Sequence, residues 1–375
     1  MKSGFLAGLG PREFMRRHWQ KQPLLARGAL PRYATRDRIT REDLYTLAAR
    51  DDIESRIVAR RGAQWSVRHG PFTRQQLVRM PRRNWTLLVQ GVDQKLPQAA
   101  GLLREFAFLP HARLDDVMVS YAAPGGGVGP HFDSYDVFLV QGSGERRWRI
   151  GSQADLELVP DLPLKILERF EPEQEWAVQP GDLLYLPPQY AHDGVAVDEC
   201  ITYSVGFRAP AADELASAFL DFLQDRLDVE GRYADPGVTP TREPGRLPQR
   251  MVDYAARITD RLRWSRADVE RFVGAYLTEP KNNVVFEPPQ RPLKPEAFAK
   301  RAQARGVRLA AATRMLVSNG DAYINGERHV PARRDIGRIA TLADARELPP
   351  GFGGASGVTS LLYRWYAAGY IELAP

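Results

Sequence analysis

The chain has 375 residues, more than one ordinary domain requires, so two or three domains are expected. Its 43% hydrophobic and 26% charged residues exclude disordered and fibrous proteins, and no run approaches the roughly 20 apolar residues of a membrane span. The net charge of +6 permits a nucleic-acid partner but does not establish one. The single cysteine, Cys200, cannot form an intramolecular disulfide, which favours a reducing compartment and predicts a cytoplasmic protein.

The first half of the chain changes from a helical to a β pattern. Residues 1 to about 50 look helical, and Thr40 with Asp43 three residues later predicts a capping box. From about 53 to 209, short apolar runs alternate with Gly and Pro, which is typical of an all-β sandwich or barrel. The predicted strands lie in IESRIVARRGAQWSVRHG, WTLLVQGV, DDVMVSYAAPGGG, DVFLVQGSGERRWRIG, EWAVQPGDLLYLP and ECITYSVGFRAP.

After Pro210 the apolar period becomes helical. The segment ADELASAFLDFLQDRL carries one apolar stripe, and Ser265 with Asp268 predicts a capping box at the start of a later helix. The stripe consists of Leu215, Phe219, Phe222, Leu223 and Leu227. Such a stripe must be covered, either by the β region or by a second subunit, and the sequence leaves both open.

The C-terminal part combines helices with one hairpin. Helical patterns in EAFAKRAQARG and VTSLLYRWYAAG flank DAYINGERHVP, in which Asn325-Gly326 is a strong two-residue turn signal. This predicts a small winged-helix-like domain. The predicted boundaries are therefore a catalytic region at 1–209, a helical region at 210–290 and a C-terminal domain at 291–375.

The segment GGGVGPHFDSYDVFLVQGSGERRWRIG, residues 125–151, carries the candidate chemistry. On a strand, His131 and Asp133 would point to the same face, and His192 in PGDLLYLPPQYAHDG could supply a third ligand. Two imidazoles and one carboxylate form the triad of non-haem Fe(II) oxygenases, although zinc uses the same residue types. Asp193 could replace His192 as the ligand. Each residue alone could also be an ordinary turn or strand residue.

The arginines of the same segment could hold an anionic cosubstrate. The predicted hairpin turns at Gly142-Ser143-Gly144 and returns through Arg146, Arg147 and Arg149. Guanidinium binds carboxylate bidentately, so one of them could hold the far end of a metal-bound dicarboxylate. Parity places Arg146 on one face and the other two on the opposite face. The residue pattern does not say which face is internal, and all three could be solvated.

Taken together, these motifs resemble a known family. VSYAAPGGGVGPHFDSYDVFLVQGSGERRWRIG and PGDLLYLPPQYAHDG, with FMRRHWQKQPLLARGALP and YLTEPKNNVVFEPP, resemble the bacterial JmjC-type ribosomal oxygenases, specifically the ribosomal protein arginine hydroxylases. The resemblance covers nearly the full length. It implies a double-stranded β-helix (a cupin-like jelly roll), then a helical dimerisation region that makes the protein a homodimer, then a C-terminal winged helix.

The resemblance also implies roles for particular residues. His131, Asp133 and His192 would be the catalytic Fe(II) ligands, and 2-oxoglutarate and dioxygen the cosubstrates. Arg146 would hold the far carboxylate of 2-oxoglutarate, and Ser120 would be a further contact with it. The implied substrate is an arginine of large-subunit ribosomal protein 16.

Contacts with the substrate are less constrained. Tyr135 and Asp136 follow the ligand pair and could bind a substrate arginine, or could lie in a solvated loop. An aromatic lining is expected from Tyr121, Phe132, Tyr185 and Tyr203. Two other functions stay open: a JmjC hydroxylase acting on a histidine or another arginine, and a non-catalytic metal-binding cupin module whose basic tail binds RNA.

Overall fold

A computed structural model describes residues 5–353 and 356–375 of the chain. Eleven strands build the β region. They are β1 Leu24–Ala26, β2 Ser55–Arg61, β3 Gln64–His69, β4 Trp85–Val89, β5 Leu114–Ala122, β6 Val137–Ser143, β7 Arg146–Gly151, β8 Gln174–Val178, β9 Leu183–Leu186, β10 Ala191–Ala196 and β11 Cys200–Phe207.

The strands form two antiparallel sheets that face each other. The large sheet has the order β1-β9-β6-β11-β5-β4-β2-β3, and the small sheet has the order β10-β7-β8. Alternate residues of β6 and β9, such as Val137 and Leu184, pack against Trp148 and Ile150 of the small sheet. This facing pair of sheets is the cupin-like core predicted from the sequence.

The other face of the large sheet is covered by helices. Phe138 and Tyr185 point away from the small sheet and pack against Phe14 of the N-terminal region. Period-two alternation therefore gives this sheet two buried faces. The helices of the first half are α1 Pro11–Arg17, α2 Arg41–Ala48, α3 Arg74–Val78 and α4 Pro97–Leu103.

The sequence predicted only part of the secondary structure in the first half of the chain. The capping box of Thr40 and Asp43 is present at the start of α2. The N-terminal region is not wholly helical, because β1 pairs with β9 at the sheet edge. The β region is likewise not all-β, because α3 and α4 interrupt it, and β10 was not among the predicted strands. The β6–β7 turn lies at Gly144-Glu145, one residue beyond the prediction, because Ser143 still pairs with Ile201.

Three further helices follow the β region: α5 Ala212–Gln224, α6 Gln249–Thr259 and α7 Arg266–Thr278. The apolar stripe of α5 packs on α7, where the rings of Phe219 and Phe272 lie 5.2 Å apart. Leu227 lies beyond the end of α5 and is exposed, which corrects the predicted length of the stripe. The capping box of Ser265 and Asp268 is present at the start of α7.

The C-terminal part has its own hydrophobic core. Its elements are α8 Pro295–Arg305, β12 Val307–Leu309, β13 Met315–Ser318, β14 Asp321–Ile324, β15 Glu327–His329, α9 Ile336–Ala345, β16 Glu347–Leu348, α10 Ser356–Ala367 and β17 Ile371–Leu373. Asn325 and Gly326 both have positive φ and form the predicted two-residue turn. Helix α9 was missed at the sequence level. Within the described ranges, no helix is long and apolar enough to cross a membrane.

Candidate metal and cosubstrate site

Three predicted metal ligands converge at one end of the β-helix. One potential ligand atom from each of His131, Asp133 and His192 lies within 4.8 Å of the other two. The imidazole centroids are 4.2 Å apart, and Nε2 of His192 is 3.7 Å from Oδ2 of Asp133. His192 is buried, while the other two are partly exposed. The three side chains could therefore hold one metal ion that is open to a cavity.

The backbone brings the distant ligands together. His131 and His192 form a single antiparallel bridge, with N–H···O distances of 2.9 and 2.8 Å. The sequence predicted a regular strand at residues 131–133, but the structure has only this bridge there. The bridge therefore sets the position of His131 relative to His192. The glycines allow the close approach, because a Cβ on Gly127 would lie 2.6 Å from the carbonyl oxygen of Gly194.

Hydrogen bonds orient both imidazoles toward the centre of the cluster. Nδ1 of His131 is 2.9 Å from the Gly129 carbonyl oxygen, and Nδ1 of His192 is 2.8 Å from that of Tyr190. A carbonyl only accepts, so Nδ1 carries the proton and the Nε2 lone pair faces the cluster. Burial, with His131 nearby, lowers the pKa of His192 to about 4, although Asp133 opposes this shift. His192 is therefore neutral near pH 7, as a metal ligand must be.

Asp193 is not a competing ligand. It lies on the opposite face of β10 from His192, and its carboxylate accepts a hydrogen bond from Arg149. Arg149 is therefore paired with Asp193 and is not available to a cosubstrate. Arg147 is exposed, and its Nε lies 3.5 Å from a carboxylate oxygen of Glu175. The alternative in which Asp193 replaces His192 is therefore wrong.

Arg146 is the internal arginine of the hairpin. It lies on the same face of the small sheet as Trp148 and His192, and only 6% of its surface is exposed. Its Nε and Nη2 are buried without a hydrogen-bond partner in the described structure. A buried guanidinium without an anion is costly. Arg146 therefore has donors available for a carboxylate ligand inside the β-helix.

A cavity of about 940 Å³ connects these groups. The three candidate metal ligands, Arg146 and Ser120 all line it. Ser120 is buried on β5, and its hydroxyl is 3.4 Å from the Thr202 carbonyl oxygen, a long bond that leaves it able to contact a ligand. The cavity is large enough for a small dicarboxylate together with a substrate side chain.

Sequence reasoning missed an acidic part of the cavity. Asp115 and Asp116 are the second and third residues of β5, and both line the cavity. Nζ of Lys281 is 3.0 Å from an oxygen of each carboxylate. Burial lowers the pKa of Lys281, but the two carboxylates outweigh it, so the net shift is upward. The doublet in LDDVMV was a signal, because one of two successive strand residues must face inward.

The two predicted substrate contacts have different positions. Tyr135 lines the cavity and is 42% exposed, and partial burial together with the Asp133 carboxylate raises its pKa. Asp136 does not line the cavity and is fully buried. Its carboxylate accepts hydrogen bonds from Tyr185, Gln20 and Arg113 at 2.7, 3.0 and 3.1 Å. Asp136 is therefore neither a substrate contact nor a solvated loop residue, but joins the N-terminal region to the large sheet.

The expected aromatic lining is not found. Tyr121, Tyr185 and Tyr203 belong to the hydrophobic core on the helix-covered side of the large sheet. Phe132 is partly buried but also does not line the cavity. The prediction for the three tyrosines was wrong because strand parity turns their rings toward the helices. Phe132 lies outside any strand.

A double-stranded β-helix with two imidazoles, one carboxylate and an internal unpaired arginine defines the class of 2-oxoglutarate-dependent non-haem oxygenases. The sequence matches the JmjC domain family over residues 101–215 and the ROXA-like winged helix over residues 261–372. It is 36% identical over 326 residues to the ribosomal protein uL16 3-hydroxylase of Escherichia coli, covering 85% of this chain and 86% of the relative. The chain therefore belongs to the JmjC ribosomal oxygenase family.

Further comparisons agree with this assignment. A probable ribosomal oxygenase of Haemophilus influenzae is 39% identical over 209 residues, which cover 55% of this chain and 51% of the relative. The structure of E. coli YcfD in complex with cobalt and 2-oxoglutarate matches with a TM-score of 0.80 and 33% identity, over 98% of this chain and 99% of the other. The chain is thus a 2-oxoglutarate-dependent dioxygenase, and the non-catalytic cupin alternative is set aside.

Proposed function

We propose that the protein hydroxylates an arginine of large-subunit ribosomal protein 16, using Fe(II), 2-oxoglutarate and dioxygen. The single observation that carries the oxygenase part is the converging triad with the unpaired Arg146 beside it. The relative named a uL16 3-hydroxylase supports the substrate protein. The name of that relative does not state which residue is modified, so the choice of arginine is a separate part of the proposal.

The chain's own residues set the geometry of the reaction. Nε2 of both histidines and the Asp133 carboxylate would hold the ferrous ion beside the cavity. Iron bound there supplies the one-electron chemistry with dioxygen that an unactivated C–H bond requires. Arg146 would bind the far carboxylate of 2-oxoglutarate, and the Ser120 hydroxyl would donate a further hydrogen bond to it. Arg146 and Ser120 are both buried, which limits the access of bulk water to these contacts.

One wall of the cavity combines carboxylates with apolar surface. Asp115 and Asp116 lie at the start of β5, and Met118 lines the same cavity two residues on. A guanidinium needs carboxylates at its planar end and apolar surface along its methylenes. Tyr135 supplies ring surface next to the metal ligands. A substrate arginine would compete with Lys281, whose Nζ is 3.0 Å from an oxygen of each carboxylate. The choice of arginine over histidine therefore rests on the family resemblance and not on the charge of this wall.

One assay tests the reaction and its substrate. The full chain is incubated with Fe(II), 2-oxoglutarate and peptides from ribosomal protein 16 that carry each arginine in turn, and the peptides are weighed. We expect one peptide to gain about 16 Da, with succinate formed in equal amount. Replacing that arginine by lysine should abolish the gain. A histidine-containing peptide that is modified instead would overturn the arginine assignment.

The matched enzyme control is Asp133→Ala, which removes the only carboxylate of the proposed triad. We expect it to form no succinate above background while its circular dichroism spectrum is unchanged. Undiminished turnover by this variant would remove Asp133 from the metal site.

We further propose that the protein is a cytoplasmic homodimer whose subunits meet through the helical region. Helices α5 and α6 have no buried residue, and Leu220, Met251 and Val252 are exposed. Apolar helix faces left in water favour association. Light scattering should give twice the mass of 42.2 kDa, and a monomer at micromolar concentration would overturn this part.

A further inference from the structure

The positive charge of this protein is concentrated in one segment. Residues 55–92 contain eight arginines and no Asp, Glu or Lys. With 52 basic and 46 acidic residues in the whole chain, the remainder has 44 basic and 46 acidic residues, or a net charge of −2. The entire positive excess therefore comes from the β2–β3 hairpin, α3 and the loop that leads into β4.

Six of these arginines are exposed and have no acidic partner in the described part of the chain. They are Arg60, Arg61, Arg68, Arg79, Arg82 and Arg83, called the arginine surface below. All six are exposed, and none has a carboxylate oxygen within 4.0 Å among residues 5–353 and 356–375. The other two, Arg56 and Arg74, have Glu54 and Glu42 as neighbours. Unpaired arginines repel one another, so a polyanion bound there would gain from all of them.

Backbone and side-chain contacts gather the six residues around the hairpin. The amide of Arg60 donates to the carbonyl of Asn84, which directly follows Arg82 and Arg83, at 2.9 Å. Nη2 of Arg68 is 2.9 Å from the sulfur of Met80, the neighbour of Arg79. The loop thus runs along both strands of the hairpin, and β3 is an edge strand of the large sheet.

One part of the arginine surface lies on the sheet face that borders the cavity. Arg60 pairs with Trp65, and Val67 and His69 on the same face of β3 line the cavity. The amide of Asn84 donates to the carbonyl of Pro124 at 2.9 Å, which ties the arginine loop to the glycine run before His131. A Cβ on Gly129 would lie 3.1 Å from the ring of Trp65, so the hairpin also touches the segment that carries the metal ligands. Strand alternation puts Arg61 and Arg68 on the opposite face of the hairpin. A strand bound to all six arginines would therefore wrap around the edge strand β3, and only its part on Arg60 and Trp65 would lie beside the cavity.

The chemistry of this surface fits RNA better than an acidic protein. The Arg60 guanidinium lies 5.3 Å from the centre of the partly exposed Trp65 ring. Proteins that bind single-stranded nucleic acid combine such cations, which contact phosphates, with aromatic rings, which stack on bases. A protein interface would need an apolar centre. Val78 is the one large apolar residue that is exposed in segment 55–92.

We propose that the arginine surface binds the phosphate backbone of RNA, so that the enzyme meets its substrate beside an RNA strand. The arginine surface uses none of the residues assigned to the metal, the cosubstrate or the substrate side chain. The inference therefore stands or falls independently of the proposed hydroxylation.

Binding is measured by fluorescence anisotropy of the full chain with a short labelled single-stranded RNA of mixed sequence, in the absence of 2-oxoglutarate. Between about 50 and 200 mM KCl we expect log K to fall linearly with log salt, with a slope near about −4 if all six arginines contact phosphate. R82A/R83A should make the slope shallower by about 1.4. Its turnover of a free peptide should equal that of the wild type.

The matched control is R232A/R242A, which removes two exposed arginines from the linker between α5 and α6. It should leave the slope unchanged. Absence of salt-dependent RNA binding, or equal effects of the two double variants, would overturn the proposal. So would polyglutamate that displaces the RNA at equal charge concentration, because the surface would then prefer an acidic protein. Loss of binding in R333A/R334A but not in R82A/R83A would place the RNA on the C-terminal part and also overturn it.

Discussion

At the scale of single residues, burial distinguishes arginines that look equivalent in the sequence. Arg146 and Arg147 are neighbours on β7, yet one is internal and unpaired while the other is exposed near Glu175. Strand alternation predicts that they differ, but not which one is internal. That choice depends on β10, whose pairing with β7 puts His192 on the Arg146 side.

We predict that Arg146→Ala raises the KM for 2-oxoglutarate. A hydrogen bond between charged groups contributes about 1.5–3 kcal/mol, so the increase should be about 10- to 150-fold. Arg147→Ala is the matched control and should leave the KM unchanged. Succinate formation measured against 2-oxoglutarate concentration separates the two variants. Equal KM values for Arg146→Ala and the wild type would mean that another cation holds the cosubstrate.

A second prediction concerns Asp136, whose carboxylate is saturated by Tyr185, Gln20 and Arg113. Asp136→Ala leaves the buried Tyr185 hydroxyl without its acceptor and removes the bonds to Arg113 and the exposed Gln20, so the free energy of unfolding in urea should fall by about 1–3 kcal/mol. Tyr185→Phe, which removes one of the three bonds, should lose less. The KM for the peptide should not change in either variant. An increased peptide KM with unchanged stability would return Asp136 to the substrate site.

At the scale of elements, long periodic segments were predictable and short non-local ones were not. Helix α5, the Asn325-Gly326 hairpin and both capping boxes have local signals, and the structure contains them. Strand β10, with the sequence AHDGVA, has no such signal and exists because it pairs with β7, some 40 residues earlier. The triad could be proposed because its residue types are specific, whereas Asp116 could not be placed in the cavity without the fold.

Packing between β7 and β10 supports the metal site. A Cβ on Gly194 would lie 2.5 Å from the Trp148 ring, whose centre is 5.8 Å from that of His192. We therefore predict that Gly194→Ala costs about 1–3 kcal/mol of stability by overpacking. It should also weaken metal binding by displacing the indole toward the imidazole.

Gly245→Ala is the control for this substitution, because a Cβ there meets nothing within 4 Å. Thermal unfolding and a titration with Co(II) measure the two effects. If Gly194→Ala is as stable as Gly245→Ala, Trp148 moves freely and does not support the site.

At the scale of the whole molecule, Asp115 joins the catalytic core to the C-terminal part. Nη2 of Arg314 donates to the Asp115 carbonyl oxygen at 2.8 Å and lies 3.2 Å from its carboxylate. Arg208, which follows β11, and Lys281, which follows α7, contact the same carboxylate. The cavity wall at the start of β5 is therefore held by residues from three separate segments of the chain.

This arrangement predicts that Arg314→Met loosens the C-terminal part from the core. Only 18% of the Arg314 side chain is exposed, so its charged hydrogen bonds should contribute about 1.5–3 kcal/mol. Calorimetry should then show the C-terminal part unfolding at a lower temperature than the core. Arg308→Met is the control, because Arg308 and Glu372 are both about half exposed and such a pair contributes about 0–1 kcal/mol. A single transition at the wild-type temperature in Arg314→Met would show that apolar contacts, rather than the Asp115 cluster, hold the two parts together.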